Sequence, residues 1–437
     1  MASVERRDFK PRKEPLVPPT SRIEVDLAAM EHNVRVVRGV LERGASKTGS
    51  PAAGICAVLK ADAYGCGAPR VAKRLGLAGV EMLAVYTPEQ ARGLIEANVG
   101  LPILVLMPVR ELDRADALYR SAARDRIHFT VHDRDGLNAL IALGDGLGMT
   151  LSVHLEVDTG MSRGGALADE AAALAVRIAE HPRVKLAGVY THLAGADCDG
   201  SFARAQNDAF GAWLKRVEHA LPRECAVHEA NTFGVFRSHA MHRTMVRTGL
   251  ALLGYGVEEF GAPSDFEFAR EAATLVPAVR WVSHIAHLKW IAPGTPVGYG
   301  STWRANRKTR VALVPVGYAD GYPAALANKG TVAVELPGGV RAYVPVVGRV
   351  SMDQITIDVT DIPEGQVGVG SCVEVVGNDR TAANHLPVLA KQAGTITHEL
   401  LCRFSARLPR TYIAVESTKV SGEKAGGESV GVTRAAV

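Results

Sequence analysis

From residue 54 onward, short apolar runs alternate along the chain with longer segments of helical period. The runs lie at 54–60, 80–86, 101–107, 126–132, 150–158, 184–192, 224–231 and, more weakly marked, 245–254. An apolar run of this length bounded by turn residues reads as a strand buried on both faces, as in a parallel sheet. Helical signals fill most gaps. Thr87-Pro88-Glu89-Gln90 is a capping box with proline at the first helical position. Phe210, Trp213, Leu214, Val217 and Leu221 form an apolar stripe with the period of a helix. Ahead of them, 22–27 reads as a short strand and 28–43 as a helix. Eight strand candidates alternating with helices predict a (β/α)8 TIM-type barrel over 22–270; a doubly wound sheet is the rival, and the count favours the barrel.

Near residue 270 the rhythm breaks. Runs at 310–316, 330–336, 340–347, 354–359 and 371–376 are short, β-branched and divided by glycine and proline. They predict a mainly β second domain over 271–415, with a helix at 381–393 and a last strand at 411–415. Residues 1–21, rich in Arg, Lys and Pro, predict a flexible arm, and 416–437, rich in Gly, Ser, Lys and Thr, a disordered tail.

Composition narrows the class. The 437 residues suffice for two domains and a large core. A formal charge of +4, dispersed along the chain, gives no argument for nucleic acid as a partner. No stretch approaches the roughly 18 uninterrupted apolar residues of a membrane span. No apolar segment follows the basic N-terminus, so it does not read as a secretory signal. The six cysteines form no CxxC pair and no metal-ligand cluster. Reduced, mostly buried thiols and a cytoplasmic location are the expectation, with no metal.

Chemistry concentrates where barrel strands end, the face on which such folds place their sites. The run 54–60 stops at Lys60 and is followed by a glycine-punctuated turn containing Tyr64. Partial desolvation there lowers a lysine's pKa and makes its amine a better nucleophile toward aldehydes. A lysine in this place is as often a surface cap of the strand, so the neighbours decide. Asp158 to Arg163 follow the fifth run, His192 the sixth and Asn231-Thr232 the seventh, while Arg247 and Gly249 lie in the eighth. His192 alone is more often a satisfied core histidine, and Thr232 alone a helix cap. Together, a lysine, an arginine, a histidine and a Gly/Thr backbone site fit an aldehyde cofactor carrying a phosphate.

With these residues in place, the chain resembles the two-domain alanine racemases, pyridoxal-phosphate enzymes of the barrel type. The likeness spans roughly 22 to 415. Its motifs are Ala57-Val58-Leu59-Lys60-Ala61-Asp62-Ala63-Tyr64-Gly65, Val157-Asp158-Thr159-Gly160-Met161-Ser162-Arg163, Tyr190-Thr191-His192, Asn231-Thr232 and Arg247-Thr248-Gly249. In the second domain they are Gly298-Tyr299-Gly300, Gly317-Tyr318-Ala319-Asp320-Gly321 and Gly348-Arg349-Val350-Ser351-Met352-Asp353. The resemblance implies that Lys60 binds pyridoxal 5'-phosphate as a Schiff base and moves the α-proton on one face of an amino acid. It assigns the opposite face to Tyr299, supplied by the partner subunit of a homodimer with shared sites. A free tyrosine titrates near pKa 10 and is a poor base at neutral pH, so it needs cationic neighbours, here His192 with Arg247 behind it. Arg247 is also expected to face the pyridine nitrogen, Arg163 the phenolic oxygen, and Tyr64, Asn231, Thr232, Gly249 and Leu250 to line the cofactor and its phosphate. Arg163, Tyr318 and the Met352 backbone are implied on the substrate side. The implied reaction interconverts L- and D-alanine and supplies D-alanine for peptidoglycan. A broader amino-acid racemase acting on serine or larger side chains, a pyridoxal-phosphate carrier and a barrel-type decarboxylase are the other readings. Tyr299 and the second domain argue against the carrier, and no C-terminal cysteine motif supports the decarboxylase.

Two positions depart from the family's pattern. Glu156 stands where many members carry a carbamylated lysine, so its carboxylate is expected to supply the anion beside Arg163. In Ser405-Ala406-Arg407-Leu408-Pro409-Arg410, Ala406 replaces a usual tyrosine, which removes a ring from the expected substrate entrance.

Overall fold

The computed structural model describes residues 20–256 and 263–413, so nearly all of the expected arm and the whole tail lie outside the described residues. Eight parallel strands close into a barrel: Gly54–Val58, Met82–Val85, Ile103–Val105, Ile127–Val131, Leu151–Glu156, Val184–Tyr190, Ala226–His228 and Met245–Thr248. Each expected run contains one of them. The capping box forms as read, with Thr87 accepting from the Gln90 N–H at the start of helix Pro88–Glu96. Phe210, Trp213 and Val217 bury the stripe of helix Gly200–Val217.

The two faces of these strands differ. Outward residues such as Ile55, Leu83, Val105, Phe129 and Val153 pack under the helices in the main core. The barrel interior divides in two. On the first three strands it is apolar, built on Cys56, Met82, Ala84 and Leu104. On the later strands it is polar, with His128, Thr130, His154, Glu156, His228 and Arg247 buried in strands and Tyr190 among them. A TIM barrel normally fills its centre with branched apolar side chains, so this half departs from the usual packing.

The second domain carries a six-stranded sheet, with Arg22–Asp26 between Val279–His284 and Arg410–Ile413. The first strand of the chain therefore belongs to the second domain's sheet and not to the barrel, contrary to its place in sequence. Ser21, expected in the arm, is tied to the same sheet, where it accepts from the Trp281 indole N–H at 2.7 Å. A three-stranded sheet, His287–Ile291, Thr309–Val314 and Ile355–Asp358, and a two-stranded one, Pro296–Val297 with Trp303–Arg304, belong to the same β-rich part. The expected helix 381–393 is shorter, Leu386–Ala393, and a further one, Thr397–Cys402, follows it. All six cysteines are free, but only Cys56, Cys66 and Cys225 are buried, fewer than expected. Among the described residues no helix is long and apolar enough to cross a membrane.

Candidate active site

Lys60 begins an unusual turn. Ala61, Asp62, Ala63 and Tyr64 all have φ between 53° and 57°, a left-handed helical turn built from residues other than glycine. Each such residue costs roughly 1–2 kcal/mol, so the surroundings must impose it. The second domain supplies the restraint. Arg410 donates to the Gly65 carbonyl at 2.9 Å and to the Phe404 carbonyl at 2.9 Å. The Tyr412 hydroxyl donates to the Cys66 carbonyl at 3.1 Å. Gly67, at φ 89°, leaves room for that hydroxyl, which a Cβ would overlap. Neither Arg410 nor Tyr412 stood out in the sequence as a site residue, because their role is to hold another segment's backbone.

Burial lowers the Lys60 pKa from its ordinary value, and Arg163 and Arg247 lower it further, while Cys402 acts the other way. The Asp158–Arg163 loop is shaped by the Asp158 carboxylate, which accepts from the Gly160 N–H at 2.9 Å and the Ser162 N–H at 3.1 Å. It is fastened to the end of the sixth strand by a Thr159–Thr191 hydroxyl pair at 2.7 Å.

Arg247 is buried. It donates to the His228 Nδ1 at 2.9 Å, the Thr191 carbonyl at 2.8 Å and the His192 Nδ1 at 3.2 Å. Its guanidinium also lies 4.6 Å from the Tyr190 ring centroid. Because Arg247 only donates, the His192 Nδ1 must accept, which leaves the ring's N–H on Nε2. Burial, then Arg247, Arg163 and Lys60, press the His192 pKa down to about 3. His192 is therefore a neutral donor near neutral pH and not the cationic neighbour expected from the sequence; the charge resides on Arg247.

The residues expected on the phosphate side gather around Tyr64. Its ring is buried, and a Cβ on Gly249 would overlap its hydroxyl, so glycine lets the two approach. The Thr232 hydroxyl lies 3.0 Å from that of Thr248 and accepts from the Ala251 N–H at 3.3 Å, beside Leu250. Asn231, not Thr232, caps the short helix Thr232–Arg237, accepting from the N–H groups of Phe233 and Gly234. Its side chain is thus used inside the protein. No motif marks His398 in the sequence: its ring centroid lies 6.0 Å from that of Tyr64, and among the described residues its buried Nδ1 has no hydrogen-bond partner.

Glu156 is placed differently from expectation. Its carboxylate accepts from the Tyr190 hydroxyl at 3.1 Å and lies 2.9 Å from the His132 Nδ1. Among the described residues it shares no hydrogen bond or ion pair with Arg163, which is exposed. Burial opposes a charged His132, but the Glu156 hydrogen bond and charge outweigh it and raise the ring above its ordinary 6.5. A folded-state pKa raised in this way stabilises the protein fully below the ring's ordinary pKa and loses that contribution as pH rises through the raised value. Glu156→Gln keeps an oxygen for Tyr190 but removes the charge. The variant is expected to melt below wild type in mild acid, with the gap closing in alkali; thermal melts across that range check it, and a gap independent of pH would contradict the pairing.

Tyr299, Tyr318 and Met352 lie elsewhere. They are 73%, 49% and 54% exposed on the second domain. Backbone bonds from Tyr318 to the Ser351 carbonyl and from Ala319 to the Met352 carbonyl, both 3.0 Å, join two of them. Among the described residues none of the three has a hydrogen bond or ring contact with the Lys60 cluster.

Comparison with known proteins agrees with both halves. The family model for the alanine racemase N-terminal domain matches residues 25–257, and that for the alanine racemase C-terminal domain matches 278–412. The chain belongs to the alanine racemase family. An alanine racemase from Sorangium cellulosum is 38% identical over 400 residues, covering 90% of this chain and 98% of its own. One from Desulfovibrio desulfuricans is 34% identical, covering 89% and 97%. Among solved structures, the alanine racemase from D-cycloserine-producing Streptomyces lavendulae superimposes with a TM-score of 0.77 at 29% identity, covering 91% of this chain and 97% of that one. The alanine racemase from Bartonella henselae, with covalently bound pyridoxal phosphate, gives 0.71 at 27% identity, covering 91% and 100%. Alanine racemase thus names the relatives of the barrel and of the second domain alike.

Proposed function

We infer that this chain is a pyridoxal-phosphate-dependent alanine racemase that interconverts L- and D-alanine, with Lys60 and Tyr299 as its two acid–base groups. The observation that carries the reading is Lys60 at the carboxyl end of a barrel strand, with its pKa lowered beside Arg163 and Arg247. The residues fit the cofactor: an amine for the aldehyde, the Tyr64 and Thr232 hydroxyls beside Gly249 for the phosphate, and Arg247 for the ring nitrogen. When bound, pyridoxal phosphate withdraws electrons from the amino acid's α-carbon and makes its proton labile.

Lys60 Nζ removes or returns that proton on one face. One base alone tends to return the proton to the face it came from, so inversion needs a second on the other side. Tyr299 is exposed and, among the described residues, has no hydrogen bond or ring contact with its own chain's Lys60, which suits donation to a second copy's site. We therefore propose a homodimer in which Tyr299 Oη, with Met352 and Tyr318 beside it, completes the partner's barrel mouth. His192 Nε2–H, backed by Arg247, is the donor that stabilises the phenolate. Provision of D-alanine for peptidoglycan in the cytoplasm is the expected use.

The test is to incubate the protein with pyridoxal phosphate and L-alanine and to resolve the products by chiral chromatography. D-alanine should appear, and the reverse reaction should give L-alanine. No inversion of either enantiomer would defeat the reading.

Ala406 bears on substrate breadth. It is exposed in a turn, and neither neighbour that could replace a tyrosine ring is free to do so. Phe404 is buried with its ring centroid 5.6 Å from Trp281, and the Tyr412 hydroxyl is bonded to Cys66. Serine should accordingly be turned over at a measurable fraction of the alanine rate. Ala406→Tyr is expected to shift the kcat/KM ratio toward alanine by roughly tenfold to two-hundredfold, the range over which small pocket changes discriminate. An unchanged ratio would mean that residue 406 does not shape the pocket.

A further inference from the structure

Behind Arg247, three histidines cross the polar half of the barrel in single file. His228 Nε2 lies 2.9 Å from His154 Nδ1, and His154 Nε2 lies 2.9 Å from His128 Nδ1. At the outer end His128 Nε2 faces the Asp125 carboxylate at 3.6 Å. The rings come from three strands, with successive centroids 5.1 Å apart. The backbone makes room for the middle one. His154 sits at a register shift opposite Gly188, where a Cβ would overlap its ring.

The polarity of this chain follows from its first member. Arg247 donates to His228 Nδ1 and has no lone pair to offer. His228 Nδ1 must then accept, and its single N–H sits on Nε2. That N–H needs an acceptor, so His154 Nδ1 is bare and its N–H is also on Nε2; the same holds for His128. An imidazolium at any of the three would set N–H against N–H. The Asp125 carboxylate, which also accepts from Ser152 and lies 3.2 Å from Lys185, favours a donor at His128 Nε2 and so the same direction. Hydrogen bonds aligned head to tail polarise one another. Their lone-pair ends all point toward the guanidinium, which makes no hydrogen bond to a carboxylate among the described residues.

We propose that His154, His128 and Asp125 are positioning residues for Arg247: the chain presents the His228 lone pair to the guanidinium and holds its rotamer and charge where the cofactor's ring nitrogen is read. This rests on the assignment of Arg247 under the proposed function. Independently of that geometry, burial lowers the pKa of all three histidines; Arg247 and the neighbouring rings add to it at His154 and His228, while Asp125 acts against it at His128. The three rings occupy interior volume that apolar side chains would fill in most barrels, and their common polarity is what apolar packing could not supply.

Nitrogen-15 NMR of the histidine-labelled holoenzyme near neutral pH tests the proposal directly. His228, His154 and His128 should each appear as the neutral tautomer protonated on Nε2. Any one of them found as an imidazolium or protonated on Nδ1 overturns the polarity and the proposal with it. His154→Phe keeps a ring of similar size but breaks both links. It should disturb the His228 tautomer and lower kcat by about ten- to a hundredfold, the range for small misplacements, with KM for alanine little changed. His154→Asn restores an acceptor for His228 and should recover most of the loss. A folded His154→Phe enzyme with wild-type kcat and an undisturbed His228 signal overturns the proposal. Should His154→Phe fail to fold, Asp125→Asn serves, since its side chain is 52% exposed. It should move the His128 Nε2–H resonance, and no movement would remove Asp125 from the chain. The tautomers are read whether or not alanine is inverted, so an enzyme without racemase activity but with these tautomers would defeat the functional reading and leave the polarity of the histidine chain intact.

Discussion

Lys60→Ala is expected to abolish racemisation of alanine while leaving the fold nearly as stable as before. The loss follows from the two tasks given to one amine, holding the cofactor and moving the α-proton; no second lysine shares the barrel mouth in the arrangement described. The stability expectation follows from electrostatics. A lysine whose folded-state pKa lies below its unfolded value is, in its charged form, a burden on the folded state. Removing it beside Arg163 and Arg247 takes away repulsion, and the left-handed turn that starts at residue 61 is held by Arg410 and Tyr412 and not by the Lys60 side chain. Lys60 itself is outside the left-handed region, so alanine fits its backbone. Borohydride reduction of the cofactor-loaded wild type should fix the label on the peptide containing Lys60, and the alanine variant should take none. A label on another lysine, or residual inversion by the variant, would end the assignment.

The eight barrel strands were legible because parallel strands buried under helices concentrate apolar residues into short runs. The same runs concealed the interior. His128, Thr130 and His132 alternate with apolar residues, and so do Ser152, His154 and Glu156. That period of two marks a polar inward face, which the apolar outward residues of each run mask. The first strand was assigned to the barrel by its order in the chain; its partners, Val279–His284 and Arg410–Ile413, are more than 250 residues away, and no local pattern announces such pairing. Nor could local propensity reveal four consecutive left-handed residues, since Ala61-Asp62-Ala63-Tyr64 contains no glycine and the conformation is imposed by the second domain. The Lys60, His192 and Arg247 cluster was legible through strand ends. What the sequence could not specify was which partner each side chain takes: Glu156 was matched to Arg163 by charge, yet in the structure it is paired with His132 and Tyr190.

Tyr299→Ala should separate the two faces of the reaction. With Lys60 left as the sole base, exchange of the α-proton with deuterated solvent is expected to become strongly one-sided between L- and D-alanine, while inversion falls by roughly 10²–10⁴, the usual contribution of a positioned acid–base group. Exposure of 73% means that the substitution removes little packing, so the loss should appear in turnover and not in melting temperature. The position of Tyr299 on the open face of the second domain adds a sharper test. If it serves the partner subunit, mixing Tyr299→Ala with Lys60→Ala subunits creates mixed dimers in which one site has both groups and the other has neither. Random exchange at equal amounts makes about half of the dimers mixed, so activity should recover to about a quarter of wild type per total site. If Tyr299 instead served its own chain, every site in the mixture would lack one base and nothing would recover. Inversion by the Tyr299→Ala homodimer at near wild-type rate in both directions would remove Tyr299 from the mechanism altogether.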